Sequence, residues 1–546
     1  MDSPPLSTRK IPALTVLTGI LVCMPGLSYA QDAPEAEPPA AAPAGDEAPP
    51  AEATATPAPA PEQEPPRASP GAAAPSGPIE APPRPAVKGT DAASVSPMTQ
   101  EERPAAARSW FTRPALRLAV GKGDQQGAIT FFGFIEADFI YDTTRSYGDS
   151  IGGSLVARKE TYAGQVGRTQ FSMRNTRIGL SFESPVIGGV KPTAVFQGDF
   201  FGNQPGHPPD VAESAYFDSP TFRARHAYFK LENDYVNVLV GQTYDLFGWQ
   251  NYFFPCSVEF LGLPNQVFHR TTQLRLSHTF ALGSLSVDLA AAALRPVQRD
   301  SEVPDANAGV RFSVNSWKGI STPGNVGTTA FPLSIGVSGV ARQFRVNAFT
   351  PPPAQRSNRA DGWGLAVDGL VPVIPAENAD DRGNRLTLVG GFVTGTGIAD
   401  LITAGGGATF PTLPNPALAN PPPVYSPDID EGLVTFDTVG ILHTIDWQAF
   451  RVGLQYYLPP TGRVFVSLNY TQAYSKNMSA LFPRGGAEIE LLTRVAERSH
   501  YADANLFWDA TPAVRFGGSF QYTAVEYIDH QKPRNLRGTG QGVYVF

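Results

Sequence analysis

Residues 462–476 read GRVFVSLNYTQAYSK. Val464, Val466, Leu468 and Tyr470 alternate there with Arg463, Ser467, Asn469 and Thr471. In an extended strand residues two apart share a face, so this stretch has one apolar and one polar side. The pattern recurs in RVGLQYYL (451–458), in TTQLRLSHTF (271–280) and in TRIGLSFE (176–183). Segments of about ten residues, split by links rich in Gly, Pro and Asn, spell an all-β chain.

A soluble sandwich also alternates, with its apolar side inward. Two features point instead to a transmembrane antiparallel β-barrel. The chain closes on GTGQGVYVF (538–546), which sets Tyr544 and Phe546 on one face of a last strand. Aromatic residues make up 10% of the chain, and Tyr141, Tyr228, Tyr244, Tyr457, Tyr474, Tyr522 and Tyr527 fall near strand ends, as aromatic belts at the two membrane interfaces require. Such barrels have short turns at one end and long loops at the other, and the alternation predicts about sixteen strands. The short links are expected at 281–284, 459–462 and 510–512. The long ones are expected at 143–168, 203–220, 245–267, 296–307, 475–498 and 526–539. Between 308 and 447 the phase is lost: 346–361, 373–384 and 396–432 read as long links, and AGVRFSVN (308–315) reads as strand or link.

The segment ahead of the barrel has another character. Residues 1–30 carry Arg9 and Lys10, an apolar run, and small Ser28 and Ala30 before Gln31, the pattern of a secretory signal peptide. Residues 31–127 form a Pro/Ala-rich linker with little to bury, expected to be disordered in the periplasm, as a spacer reaching the cell wall or as a solvated tail. Residues 128–546 form the barrel, placed in a bacterial outer membrane and in contact with its lipid. After residue 30 the sole cysteine is Cys256, so no disulfide holds the chain. No apolar run of about eighteen residues follows residue 30, which excludes transmembrane helices.

Alternation also sorts the charges. An arginine facing hydrocarbon costs ~2–4 kcal/mol at the midplane, so Arg177, Arg223, Arg225 and Arg275 belong in the lumen. GFIEADFIY (133–141) puts Glu136 and Asp138 on the lumen face, and AVFQGDFFG (194–202) puts Asp199 beside Gln197. Basic and acidic ladders on different parts of one interior would hold a transverse field across a water-filled pore; paired, they would pack a plugged one. The link DLFGWQNYFFPCSVEFLGLPNQV (245–267) is too apolar for an exposed loop. Folded into the barrel it would form a constriction, with Asp245 and Glu259 facing the arginines; otherwise it would pack on the rim or on another subunit. Of the 42 basic residues 33 are arginine, whose planar fork matches carboxylates and leans towards anionic solutes.

TFRARHAYFKL (221–231), VLVGQTYDLFG (238–248), PNQVFHRTTQLRLSHTF (264–280) and DANLFWDATPAVRFGGSFQYTAVEY (503–527) resemble the DcaP-like porins of Gram-negative outer membranes. The resemblance implies a sixteen-stranded, trimeric barrel that admits small anionic solutes, dicarboxylates among them. It also implies that Arg177, Arg223, Arg225 and Arg275 form the basic side of the constriction. Family members often begin with a heptad-bearing coiled coil; residues 31–100 carry no heptads and too much proline, so a trimer would rest on the barrel walls.

Other functions find little support. His226, His269 and His278 form no nucleophile–base–acid spacing, so no enzyme is expected. His226 is expected at a strand end or girdle, and His278 on the outward face. No paired ligands suggest a metal or other cofactor, and the chain is acidic with no basic face for nucleic acid. The alternative to a porin is a structural barrel tethered to the cell wall through the linker.

Overall fold

The structure, a computed structural model, describes residues 116–546 apart from 152–154, 203–219, 260–261, 298–300, 326, 346–358, 404–431, 437–440 and 482–494. Sixteen antiparallel strands form the barrel. In chain order β1 is Gly127–Asp142, β2 runs in two pieces as Arg168–Ser172 and Arg177–Glu183, and β3 is Lys191–Asp199. Next come β4, Arg223–Glu232; β5, Asn237–Tyr244; β6, Arg270–Leu282; β7, Leu285–Leu294; and β8, Asp305–Ser321. They are followed by β9, Thr329–Arg345; β10, Arg359–Ile374; β11, Arg385–Thr396; and β12, Asp446–Tyr457. The last four are β13, Val464–Ser475; β14, Ala496–Asp509; β15, Val514–Tyr527; and β16, Arg534–Val545.

Each strand pairs with its neighbour in sequence, and β16 pairs with β1 from Phe134↔Val545 to Asp142↔Arg537, which closes the sheet. Closure removes the unpaired edges that an open sheet would present to lipid. Gly133 and Phe546 exchange backbone bonds of 3.1 and 3.0 Å, and the Phe546 ring stacks on Phe131. A short strand, Leu116–Val120, pairs with the first part of β1. It lies inside the span that the sequence assigns to the linker.

The strands quoted for their alternation keep the phase read from the sequence. Along β13 the outward Val464, Leu468 and Tyr470 are exposed, while Ser467, Asn469 and Thr471 are buried in the lumen. Leu274, Phe280, Val452 and Tyr544 face outward on their strands. AGVRFSVN lies inside β8. Short links at 283–284, 458–463 and 510–513 lie at one end, as expected, with 143–167, 200–222, 245–269 and 397–445 at the other. The link expected at 526–539 is only 528–533, because β15 and β16 each extend into it.

Two expectations about side chains change. Tyr228, Tyr244, Tyr457 and Tyr527 are buried on the lumen side, so of the seven tyrosines only Tyr141, Tyr474 and Tyr522 lie on the outer face. His226 is a buried lumen residue, not a girdle residue. The cause is a bulge: opposite Gln197 and Gly198 of β3, β4 steps from His226 to Ala224, so Arg225 is the extra residue. A bulge resets the period-two phase, and Arg223, Arg225 and His226 all turn inward. On the outside, the Gln242 side chain donates to the carbonyls of Ala224 and Arg225 at 2.9 and 3.3 Å, satisfying groups that the bulge frees from the ladder.

Candidate functional site

The loop between β5 and β6, residues 245–269, lies inside the barrel. Leu246, Phe247, Trp249, Phe253, Cys256 and Val258 are all nearly fully buried. The loop follows the wall from β8 to β15, and glycines on the lumen face make room for it. A Cβ at Gly336 would lie 2.8 Å from the Trp249 ring, one at Gly364 3.0 Å from Phe247, and one at Gly517 3.1 Å from Val258. Gly309 on β8 approaches Trp249, and Gly453 on β12 approaches Pro255. Polar groups fix the seat: Gly248 donates to Ser338 Oγ at 2.8 Å, Ser467 and Asn469 donate to the Cys256 carbonyl, and Ser257 donates to Asp503. Beneath Cys256 the rings of Tyr457, Phe465 and Phe507 stack across three strands at 4.7 and 4.8 Å.

The two ends of the loop are clasped together. Asp245 Oδ2 and His269 Nδ1 lie 2.7 Å apart, and the Asp245 amide donates to the His269 carbonyl. Burial pulls the His269 pKa down, but the Asp245 carboxylate outweighs it, so the imidazole stays protonated above the usual histidine range. At the far side Glu259 accepts from Ser150 at 2.8 Å and lies 3.6 Å from Arg537. Burial pushes the Glu259 carboxyl up to about 7, against the pull of Arg537.

The wall from β2 to β6 carries the predicted arginines, all turned inward. Arg223 grips Asp199 with Nε and Nη2 at 2.9 and 2.7 Å, and Arg225 Nη1 reaches the same carboxylate at 2.8 Å. Asp199 and Arg223 are cross-strand partners in register. Arg177 donates to Asn175 and lies over the Phe134 ring. Arg275 donates to Gln273 and to the Tyr244 carbonyl. Arg270, which the alternation did not single out, opens β6 beside the paired rings of Tyr244 and Phe268, at 5.3 and 5.1 Å from their centroids.

The acidic residues are not gathered opposite the arginines. Asp199 stands among them, because the in-register pairing of β3 with β4 brings it to Arg223. Asp245 belongs to the clasp with His269. Glu259 meets Arg537 and Ser150 rather than Arg223 or Arg225. Glu136 and Asp138 are buried on the lumen face of β1, and Glu136 accepts from Asn175 at 3.0 and 2.9 Å.

Around the rest of the barrel, five arginines that the sequence did not mark out are paired with acids of the wall or, for Asp400, of the link 397–445. Arg311 meets Asp288 at 2.6 Å, Arg342 meets Asp305 at 2.8 Å and Asp400 at 2.5 Å, and Arg451 meets Asp368 at 2.5 Å. Arg515 meets Asp509 at 2.7 Å, and Arg537 meets Asp142 at 2.8 Å. Asp368 and Arg451 sit on β10 and β12 and reach each other across β11 at Gly391, where a side chain would collide with both. Period-two phase and the inward glycines were the signals that could have found these pairs. Among the described residues no group of three His, Cys, Asp or Glu side chains could hold a metal ion.

No family model matches the chain, and neither does any curated protein. Solved structures do match. The outer membrane channel DcaP of Acinetobacter baumannii aligns at a TM-score of 0.53 with 16% identity, over 77% of this chain and 97% of that one. An anion-selective porin from Comamonas acidovorans aligns at 0.44 with 10% identity, over 77% of this chain and 100% of that one. The fold is therefore shared with an outer-membrane channel, and further outer-membrane porins recur among the solved neighbours.

Proposed function

We propose that the chain is an outer-membrane porin through which small hydrophilic solutes diffuse passively, with a preference for anions such as dicarboxylates. The observation that carries this reading is the inward basic wall of β2, β4 and β6, with the loop 245–269 held against other strands. Arg177, Arg223, Arg225 and Arg275 bias that space towards anions, and Arg223, whose side chain is 33% exposed, offers its charge to the lumen. Glu136, Asp138, Asp199, Asp245 and Glu259 set how much of that charge is neutralised. The functional barrel is a homotrimer joined through its outer walls. Residues 1–30 direct export, and the linker ahead of the short strand Leu116–Val120 stays in the periplasm, free to touch the cell wall.

A structural, tethered barrel is the second reading, favoured by the complete burial of Arg225 and Asp199. Current through the purified protein in a planar bilayer separates the two. Stepwise conductance under a salt gradient, with a reversal potential biased to anions and block by succinate, supports the porin. A folded barrel with no conductance leaves the structural reading.

A further inference from the structure

Arg223 and Arg225 carry the obvious motif, yet both already hold Asp199, and Arg225 is fully buried. Two guanidiniums sharing one carboxylate commit much of their donor capacity within the wall. Arg270 differs. It has no hydrogen-bond or ion-pair partner among the described residues, and its Nη1 is buried without an acceptor. The side chain is partly exposed, and Arg225 and Arg223 lie within electrostatic reach, with Asp199 the nearby acid. The rings of Tyr244 and Phe268 touch each other edge-on, with centroids 5.6 Å apart, and the guanidinium lies against this pair on one side. Aromatic faces attract a cation but accept no strong in-plane hydrogen bond, so the donor edge is left incomplete. Nη1 is shut away from the lumen, so an oxyanion meets the remaining N–H groups, which no acceptor in the wall satisfies.

Resting on the porin reading above, we infer that Arg270 is the residue that grips the carboxylate of a passing solute. Arg223 and Arg225 supply the surrounding positive field but stay bonded to Asp199. The ligand chemistry is a carboxylate group, taken by the N–H groups of a guanidinium that has no acceptor in the wall. Tyr244 and Phe268 are positioning residues: they back the guanidinium on one side and leave the other for the carboxylate.

Reconstituted wild-type protein and the variant Arg270→Gln are compared in planar bilayers, with sodium succinate as the blocking solute. The expected result is a rise of roughly tenfold or more in the succinate concentration for half-block, the size set by losing charge-assisted hydrogen bonds. The anion bias of the reversal potential is reduced in the variant, as for loss of any one lumen charge, but keeps its sign because the other arginines remain. Unchanged block in Arg270→Gln, with block weakened in Arg223→Gln, overturns the inference and leaves the porin reading intact. Wild-type protein that conducts without anion bias or succinate block removes both. Should Arg270→Gln fail to fold, a crystal structure of wild-type protein with succinate decides: a carboxylate on Arg270 supports the inference, and one held by Arg223 alone overturns it.

Discussion

On the wall from β8 to β16, Arg311, Arg342, Arg451, Arg515 and Arg537 each meet an aspartate within 2.8 Å. On the wall from β2 to β6, Arg223 and Arg225 divide one aspartate, and Arg270 meets none among the described residues. Both walls are built from the same residue types at the same strand period. The first lies largely beneath the loop 245–269, where an unpaired charge would be shut away from water. Pairing there is a condition of folding. On the second wall, a charge left over acts on whatever enters the lumen. Arginine content alone therefore says little; the ratio of arginine to nearby carboxylate separates scaffold from selectivity.

The sharpest way to break this contrast is to remove one acid from each wall. Asp368→Asn leaves Arg451 buried with no counter-charge, since its Nε and Nη1 already lack partners. A loss of ~3–5 kcal/mol is expected, read as a lower urea midpoint in lipid vesicles. The reversal potential of whatever still folds stays where it was. Asp199→Asn also leaves a fully buried arginine, Arg225, without its counter-charge, though with its bond to the Tyr244 hydroxyl, so stability falls here too. The difference is that Arg223 is free to turn into the lumen, so anion bias rises. Equal stability losses with no change in selectivity would make both walls scaffold.

The loop's seat gives a second test. Gly336→Leu pushes into Trp249 and Phe253, whose atoms a Cβ would meet at 2.8 and 3.0 Å. Overpacking of this kind costs ~1–3 kcal/mol, and a loop lifted from its seat changes the single-channel conductance. Gly540→Leu on β16 points to lipid with nothing within 4 Å. It is expected to stay within ~0.5 kcal/mol and to leave conductance alone. Matching conductance in the two variants would show that the loop does not shape the lumen.

The same glycines explain where the sequence was and was not legible. At β13 and β12, bulky outward residues alternate with polar inward ones, so phase and lumen face could be read directly. GVSGVA (336–341) in β9 and LVGGFVTG (388–395) in β11 have glycine on both faces, and the alternation fades. Part of that glycine is there to admit the loop, a long-range demand that no local pattern announces. A register shift between Val314 and Lys318 in β8 breaks the phase again. The inward direction of Arg177, Arg223, Arg225 and Arg275 was legible because lipid forbids the alternative. Their partners were not, because pairing depends on register, and the bulge at Arg225 that turns His226 inward leaves no mark in composition. Arg270 stood in plain sight, but a missing partner cannot be seen in a sequence.

A smaller effect separates the arginines themselves. Arg223→Gln removes a partly exposed charge, and a charge about 4 Å from a passing anion in water is worth about 1 kcal/mol, or about fivefold in the local concentration of that anion. The reversal potential under a salt gradient should move towards that of a neutral pore. Arg311→Gln, on β8, loses a buried pair instead, and its cost should appear in stability. A reversal potential shifted equally by both would erase the distinction between the walls.

The smallest expected effect lies where the loop leaves and rejoins the barrel. Protonated His269 bonds Asp245 at 2.7 Å, and its pKa is raised in the folded state. A raised pKa stabilises the folded state fully below the unfolded value, near 6.5, and that contribution is lost as pH climbs through the folded value. The clasp is therefore tightest in mild acid and loosens in alkali, by about 1 kcal/mol for one hydrogen bond of this kind. Amide hydrogen exchange across 245–259, corrected for the intrinsic pH dependence of exchange, should show less protection at pH 9 than at pH 6. His269→Gln, which cannot carry the charge, should flatten that difference. Protection that changes with pH alike in wild type and His269→Gln would place the sensor elsewhere, with Glu259 at the far side of the loop the next group to replace, since its carboxyl titrates at about 7 and its loss of charge in acid would loosen the contact with Arg537.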